Sequence, residues 1–441
     1  MSALSIWMNG ERVGVWERSR TGRDVFTYDL SWVNSPQYRP ISLSLPVTAD
    51  LKITGDVVGN YFDNLLPDTL EIRNRLRKRF SIADKDAFSL LSAIGRDCVG
   101  AVQILPVDAT SDEIHHASER ILSEEDVASH LSGLGVVFGD QNEADFRISI
   151  AGAQEKTALL YFNGSWFMPE GVRPTTHILK PQIGLIPGSN LDLTKSVQNE
   201  WICNKLLKAM GFSVANTSIE QFGPHTVLSV ERFDRYWGGD GEIYRLPQED
   251  LCQALGFPSS KKYESDGGKL SGPGMEDCLS ILRRGKNPVE DCSTFLKAQL
   301  AFWLLAAIDG HSKNFSISIG RGGEYNLTPL YDVISVWPNI GHGHGKIELQ
   351  KASMAMGVPT SSGRQRKINL IQTRHWKAVA DSLKIQGLWE DMVEMVENLE
   401  FSISAVSEIL PENVPKDFAE EIFAGARNYA RKFLRGLEIL Q

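Results

Sequence analysis

Along the first forty-five residues apolar and polar positions alternate. Ile6 and Met8 lead to Asn9-Gly10, Val13 and Val15 follow, and Leu43 and Leu45 repeat the period of two before Pro46. This predicts an N-terminal sheet opening on a hairpin with a two-residue turn. The spacing then becomes helical, with Leu66, Leu70, Ile72, Leu76 and Phe80 on one stripe and a second helix over 87–94 stopped at Gly95. Ser123, followed by Glu124, Glu125 and Asp126, starts another helix with acidic residues at its positive end. Gly133, Gly135 and Gly139 place a boundary near residue 140.

Past that boundary, 146–150, 157–162, 166–168, 177–180, 219–222 and 226–230 read as strands, and Asn163-Gly164 as a further hairpin turn. One helix, 197–210, interrupts them and ends at Gly211, a suitable C′ residue. From Gln248 onward helical patterns dominate. The expected architecture is α+β: a β-rich domain with helices over 1–140, a strand-rich lobe over 141–235 and a helical lobe over 236–441.

The chain has 441 residues, 42% hydrophobic and 23% charged, enough apolar material for a real core and against disorder or a fibrous fold. Its 46 Lys+Arg against 55 Asp+Glu give a net charge of -9, so any nucleic-acid contact has to be local. Five cysteines stand without a CxxC pair, which suits neither a disulfide framework nor a zinc site and points to a reducing compartment. Asn9 to Arg12 interrupt any secretory leader, and the longest apolar run, Leu300 to Ile308, is far shorter than the roughly 20 residues that cross a bilayer. A soluble, cytoplasmic protein with no membrane partner is expected.

Several residues could carry chemistry. The turn Ala151-Gly152-Ala153-Gln154-Glu155-Lys156 has small residues that would let backbone N–H groups approach an anion, although an ordinary hairpin turn fits equally. Lys180 ends a strand on the same face as Ile178, while Glu200 lies on the apolar face of the next helix with Cys203 and Leu207. A strand lysine paired with a helix glutamate is how protein kinases hold nucleotide phosphates, and a purely structural ion pair has the same signature. The order of elements favours the first reading. After the apolar run come Asp309-Gly310-His311-Ser312-Lys313-Asn314, with the D-x-x-x-x-N spacing of a kinase catalytic loop, and then Tyr331-Asp332. Asn314 and Asp332 are the hard oxygen ligands Mg²⁺ takes, leaving Asp309 to orient or deprotonate an attacking hydroxyl.

Three other clusters read as less specific. Arg73, Arg75, Arg77, Lys78 and Arg79 form a basic helix face, in the first instance a solvated one. Gly341 to Lys346 contains only His342 and His344 and reads as a glycine loop before a metal tract. Arg364, Arg366, Lys367, Arg374, His375, Lys377 and Lys384 form a basic stretch near a helix start, a solvated face or a phosphate contact.

The segments FRISIAGAQEKTALL, THILK, NEW, VERFDR, RLPQEDLCQALG, KYESDGG, DGHSKNFS and LTPLYDVIS resemble the HipA toxin kinases of bacterial HipBA toxin-antitoxin modules, and ISLSLP, FDNLLPD and IGRDCVGAVQILP extend the likeness toward the N-terminus. The resemblance implies a serine/threonine protein kinase using ATP and Mg²⁺, with an N-terminal HipA domain and a bilobal, phosphoinositide-kinase-like domain. It places catalysis on Asp309, magnesium on Asn314 and Asp332, and the phosphate loop on Ala151 to Lys156. Lys180 becomes the nucleotide lysine, Glu231, Arg232 and Phe233 the adenine-facing hinge, and Gln248, His311, Lys313 and Tyr331 further residues beside the nucleotide. Glu200 is left as an ion-pair partner.

Ser149 matches the family's autophosphorylation site, where added charge would inactivate. The implied partners are a dimeric helix-turn-helix antitoxin, operator DNA reached mainly through it, and glutamyl-tRNA synthetase as substrate. Direct DNA contact is expected to be reduced, because Asp381 and Lys384 stand where relatives carry a basic pair. A catalytically idle corepressor and a small-molecule kinase are the rival readings; retention of Lys180, Asp309, Asn314 and Asp332 argues against the first.

Overall fold

The computed structural model describes residues 2–109, 113, 116–134, 149–152, 154–186, 191–266 and 268–440. The expected boundary near 140, residues 146–148 of an expected strand, and Ala153 lie outside them. Two compact units emerge: one of residues 1–181, 218–261 and 316–325, the other of 182–217, 262–315 and 326–441.

The first unit opens with the expected hairpin, Ser2–Met8 against Glu11–Arg18, turning at Asn9 and Gly10, both with positive φ. Strands Asp24–Tyr28, Lys52–Thr54 and Gln103–Pro106 complete a five-stranded antiparallel sheet. Its inner face meets the helices Asp56–Asp63 and Ala87–Ile94 through aromatic packing. Trp16 stacks on Phe62 with ring centroids 3.9 Å apart and meets Phe88 edge-on. Leu43 and Leu45 are not in a strand. The buried Tyr28 hydroxyl donates to the Leu45 carbonyl and accepts the Ile41 N–H, so side-chain bonds replace a strand ladder there. The helix expected from Leu66 begins at Leu70, because Pro67 interrupts it.

The basic face of that helix is not simply solvated. Arg73 is buried against the Asp63 carboxylate and the Pro67 carbonyl, both at 2.6 Å, and Arg75 pairs with Glu155.

A six-stranded sheet follows, in the order Thr217–Phe222, His225–Glu231, His177–Pro181, Thr157–Phe162, Ser165–Gly171, Ala117–Leu122. These strands contain the ones read from 157 to 230, including the turn at Asn163-Gly164. The helix Glu124–Gly133 starts on a capping box between Ser123 and Asp126 and packs Val127 and Leu131 onto Leu159, Leu179 and Val227.

Between the turn that follows the helix Ala87–Ile94 and the segment that follows the strand His225–Glu231 lies a buried cluster of five charges. Asp97 accepts from Arg232 at 3.2 Å, Arg235 at 2.9 Å and Arg245 at 3.0 Å, and Asp234 pairs with Arg232 and Arg235. Burial pushes the Asp97 carboxyl up, but the three guanidinium groups outweigh it and hold the group well below the usual carboxylate range.

The second unit is mainly helical. The helices Ser196–Ala209, Met275–Leu282, Pro288–Leu304, Thr373–Leu383, Leu388–Glu397, Leu399–Glu408 and Lys416–Glu438 surround Trp303, Trp376, Tyr429 and Phe433. One departure from the helical expectation is a hairpin, Ser353–Thr360 against Gly363–Lys367. Arg364, Arg366 and Lys367 therefore lie on a strand, while Arg374, His375 and Lys377 are on the helix that follows.

One buried carboxylate of the first unit titrates. Glu249, on the strand Gln248–Asp250, is fully buried and accepts the Leu43 N–H at 2.8 Å. Burial pushes its carboxyl up to about 8, against the pull of the Leu43 N–H and the Ser42 hydroxyl. Since the folded value lies above the unfolded one near 4.5, the folded state holds the proton longer. The contribution is complete below the unfolded pKa and is lost as pH rises through about 8. Melting temperature should therefore fall from pH 5.5 to pH 8.5 for the native chain. Glu249→Gln, which keeps an oxygen for Leu43, should show a flatter profile and be the more stable at the alkaline end, by up to about 1.4 kcal/mol for each pH unit crossed. Parallel profiles in thermal melts would refute this.

Candidate active site

In the first unit the strand His177–Pro181 carries Lys180 to a buried position, paired across the sheet with Leu228. The loop 151–156 is tied to the end of this strand, since Gln154 Nε2 donates to the Pro181 carbonyl at 2.7 Å. Within the loop, Lys156 Nζ donates to the Ala151 carbonyl at 2.7 Å and Gly152 has φ +113°, a conformation that glycine alone adopts readily. The Gly152 carbonyl accepts the Asp68 N–H, and Glu155 is the partner of Arg75. The loop is thus pinned to the helix Leu70–Arg79 on one side and to the lysine strand on the other. Just before it, Ser149 is fully buried, its hydroxyl donating to the Leu65 carbonyl at 2.8 Å and its N–H to the Asp97 carbonyl at 3.1 Å.

Glu231 ends the neighbouring strand and is exposed, whereas the Arg232 guanidinium is enclosed by Asp97, Asp234, Thr175 and the Cys98 carbonyl. That side chain braces the segment and presents only backbone; Phe233 beside it is half-buried. Gln248 lies against Gly100, where an added Cβ would come within 2.6 Å of the Gln248 carbonyl. Gly100 also gives its N–H to Asp234 at 2.7 Å, so the charge cluster fixes this strand as well.

In the second unit the helix Pro288–Leu304 stops four residues before the end of the apolar run. Two side chains capture its last carbonyls: Trp337 Nε1 bonds Leu304 at 2.8 Å and the Ser335 hydroxyl bonds Leu305 at 2.6 Å. Ala306 takes φ +46° and the chain turns into the Asp309 loop. Gly310 is required there, because a Cβ would stand 2.5 Å from the Phe302 ring. Asn314 organises the rest. Its amide nitrogen donates to the Asp309 carbonyl at 2.9 Å and to the Asp332 carbonyl at 3.4 Å, while its N–H bonds the His311 carbonyl. The Tyr331 hydroxyl bonds the Lys313 carbonyl at 2.9 Å. His311, Lys313 and Asn314 are buried, and the Asp309 carboxylate is exposed. Asp332 sits at φ +61°. Glu200 is buried on the helix Ser196–Ala209.

The structure therefore brings Asp309, Asn314 and Asp332 into one hydrogen-bonded loop pair in the second unit, and carries the turn residues 151, 152 and 154–156, Lys180, 231–233 and Gln248 in the first, with Gln154 tied to the lysine strand. With the Asn314 nitrogen committed to two carbonyls, its oxygen is the end a hard cation would take, and the Asp332 carboxylate is the same donor type. These residues fit a metal ion that arrives with phosphate oxygens.

Two contributors were not read from the sequence. Tyr263 donates its hydroxyl to Asp309 Oδ1 at 2.6 Å and meets the His311 ring edge-on at 4.9 Å. Asn199 clasps the backbone of Ser335, accepting its N–H and donating to its carbonyl, both at 2.8 Å, and so holds the Asp332 segment to the helix beside Glu200. A lone aromatic in a polar run and an asparagine next to a charged residue carry no periodic signal. Only the segments KYESDGG and NEW around them hinted at a role.

Comparison with known proteins joins the two units in one family. Residues 148–406 match the HipA-like C-terminal domain and residues 4–105 the HipA N-terminal domain. A putative kinase, Y4mE, of Sinorhizobium fredii is 33% identical over 75% of this chain and 77% of its own. The serine/threonine-protein kinase toxin HipA of Shewanella oneidensis is 30% identical over 70% of each chain. The solved complex of Shewanella oneidensis HipA with HipB and operator DNA superposes with a TM-score of 0.78 at 25% identity, covering 99% of this chain and 97% of that one. With the loop geometry above, these findings make the chain a member of the HipA family, an α+β kinase-like toxin of a toxin-antitoxin module.

Proposed function

We propose that this chain transfers the γ-phosphoryl group of ATP to a serine or threonine hydroxyl of a protein, with Asp309 as the group that orients the hydroxyl and accepts its proton. The observation that carries the reading is the Asn314 amide, which ties the backbones of Asp309 and Asp332 together. In the transfer the acceptor oxygen bonds to the γ-phosphorus as its proton passes to Asp309, and the bond to the β,γ-bridging oxygen breaks to release ADP. Lys180 and the backbone of 151–156 receive the phosphates. The backbone of Glu231 to Phe233, with Gln248, faces the base, and His311, Lys313 and Tyr331 shape the loops beside it. Mg²⁺, held by Asn314 and Asp332, supplies charge neutralisation at the phosphates when bound.

Ser149 is the autophosphorylation site in this reading. Its hydroxyl has to leave the Leu65 carbonyl before it can accept phosphate, and a phosphoserine with about two negative charges has no place in that buried position. Modification would therefore hold the adjoining loop out of its nucleotide-binding form. The antitoxin is the helix-turn-helix dimer that the family likeness implies, and this chain acts with it as corepressor at operator DNA, a reading supported by the Shewanella complex of HipA with HipB and operator DNA. The protein substrate is a translation factor, glutamyl-tRNA synthetase being the one the family likeness implies. Direct DNA contact by the chain is minor, since Arg364 is taken up by Glu264 and Glu276, and Lys377 by Asp381.

Intact-mass spectrometry after incubation with ATP and Mg²⁺ tests the reading. The native chain should gain one phosphate, Ser149→Ala none, and Asp309→Gln none while melting like the native protein and failing to arrest growth. A folded Asp309→Gln that still arrests growth would remove that carboxylate from its role, and an unmodified, inactive native chain would favour the idle corepressor.

Tyr263 is a positioning residue for Asp309. Tyr263→Phe removes one donor from the carboxylate and should lower kcat about three- to tenfold with KM for ATP within about twofold. A variant with unchanged kcat would make the contact incidental.

A further inference from the structure

The second unit contains a cavity of about 950 Å³, away from the Asp309 loop, that the phosphotransfer chemistry does not use. It lies among the end of the helix Ser196–Ala209, the start of the helix Pro288–Leu304, residues 326–329, and the helices Leu388–Glu397 and Leu399–Glu408. Four carboxylates line it, Glu290, Asp291, Asp391 and Glu394, against one ammonium, Lys297. Three of the four are exposed at the rim.

Asp291 is different. It is only 5% exposed, one of its oxygens takes the Leu327 N–H, and the other, Oδ2, has no hydrogen-bond partner among the described residues. A role as anchor for residue 327 accounts for the first oxygen and leaves the second unexplained, at a desolvation cost that native structures seldom leave standing. Burial pushes this carboxyl up, with Glu290 adding to the effect and Leu327 opposing it, so a nearby cation would relieve the site.

The chemistry of the missing partner can be narrowed. No group of three metal-ligating side chains forms among the described residues, so a metal ion has no cage here. A guanidinium prefers two coplanar oxygens at once, whereas a single available oxygen suits the point-like donor of a primary ammonium. The volume accommodates far more than an ion. Phe401, on the same wall, is 77% exposed and offers a face to an apolar neighbour of the ammonium. A free polyamine has no use for that ring; a polypeptide does.

We propose that this cavity is a docking site for a lysine-bearing segment of a polypeptide partner, the lysine ammonium donating to Asp291 Oδ2, the rim carboxylates attracting basic neighbours, and Phe401 covering an apolar one. The helix that begins at the cavity runs for 17 residues toward the Asp309 loop, roughly 25 Å at 1.5 Å per residue. The segment is thus held well away from the phosphoacceptor. The proposal stands apart from the phosphotransfer reading, because binding is measured directly.

The probe is an end-capped heptapeptide with one central lysine between leucines, titrated into the full chain by calorimetry. Saturable binding at one site is expected, with affinity about tenfold or more lower when the lysine is acetylated and when the protein carries Asp291→Asn, which keeps an acceptor for Leu327. Phe401→Ser should weaken binding several-fold. Glu394→Gln, an exposed change that leaves the fold alone, should weaken it about two- to fivefold and more so at low salt. Absence of saturation up to about 1 mM peptide overturns the proposal, as does affinity indifferent to acetylation or to Asp291→Asn. Saturation by spermidine with no response to Phe401→Ser would assign the cavity to a small amine and reject the polypeptide.

Discussion

The buried aspartate at position 97 joins distant parts of the first unit. Its two oxygens collect three guanidinium groups that come from residues 232, 235 and 245, more than 130 positions away. The remaining donors of these arginines go to the carbonyls of Cys98, Gly100, Val172 and Thr175. Taking five charges out of water is costly, and such a cluster survives only because nearly every donor is used. In return it admits one arrangement. The turn 97–100, the segment 231–235 and the strand Gln248–Asp250 are fixed relative to one another, and the Asp97 carbonyl also receives the Ser149 N–H. Residues assigned to the nucleotide base and the residue assigned to self-modification thus hang from the same point.

The second unit solves a different problem with neutral groups. A long apolar helix has to end abruptly so that an aspartate emerges on a short loop. Its terminal carbonyls are captured by Trp337 and Ser335, and Ser335 is in turn clasped by Asn199. Because Ser335 lies three residues after Asp332, the interaction that terminates the helix also sets the second acidic loop. Asn314 then closes the pair by donating to the backbone carbonyls of both aspartates.

Much of this was legible in the sequence wherever the signal was local. The turn at Asn9-Gly10, the helix start at Ser123 and the strands from 157 to 230 each depend on neighbours within a few residues, and each is found. The misreadings share a cause. Leu43 and Leu45 alternate like a strand but have their backbone satisfied by a tyrosine hydroxyl, and the hairpin 353–367 is set by burial against the helices Met275–Leu282 and Thr373–Leu383, with little pattern of its own. The Asp97 cluster and the Tyr263 contact join residues too far apart in sequence for any periodicity to link them.

Three buried carboxylates show how partners, rather than burial, decide what an acidic group is for. Asp97 is met by three guanidinium groups and stays ionised throughout the ordinary pH range, so it is architecture. Glu249 is met only by a backbone N–H and a hydroxyl, and burial leaves it carrying a proton up to about pH 8. Asp291 has one oxygen matched and one unmatched beside an open cavity. The first would lose most by substitution, because removing it leaves three buried guanidinium groups with the single carboxylate of Asp234 and Arg245 without its carboxylate partner. The second would lose least, because an amide reproduces its protonated form. The third keeps its fold-bearing bond when one oxygen becomes an amide nitrogen, and what it forfeits is its attraction for a cation, which is the property of a binding group.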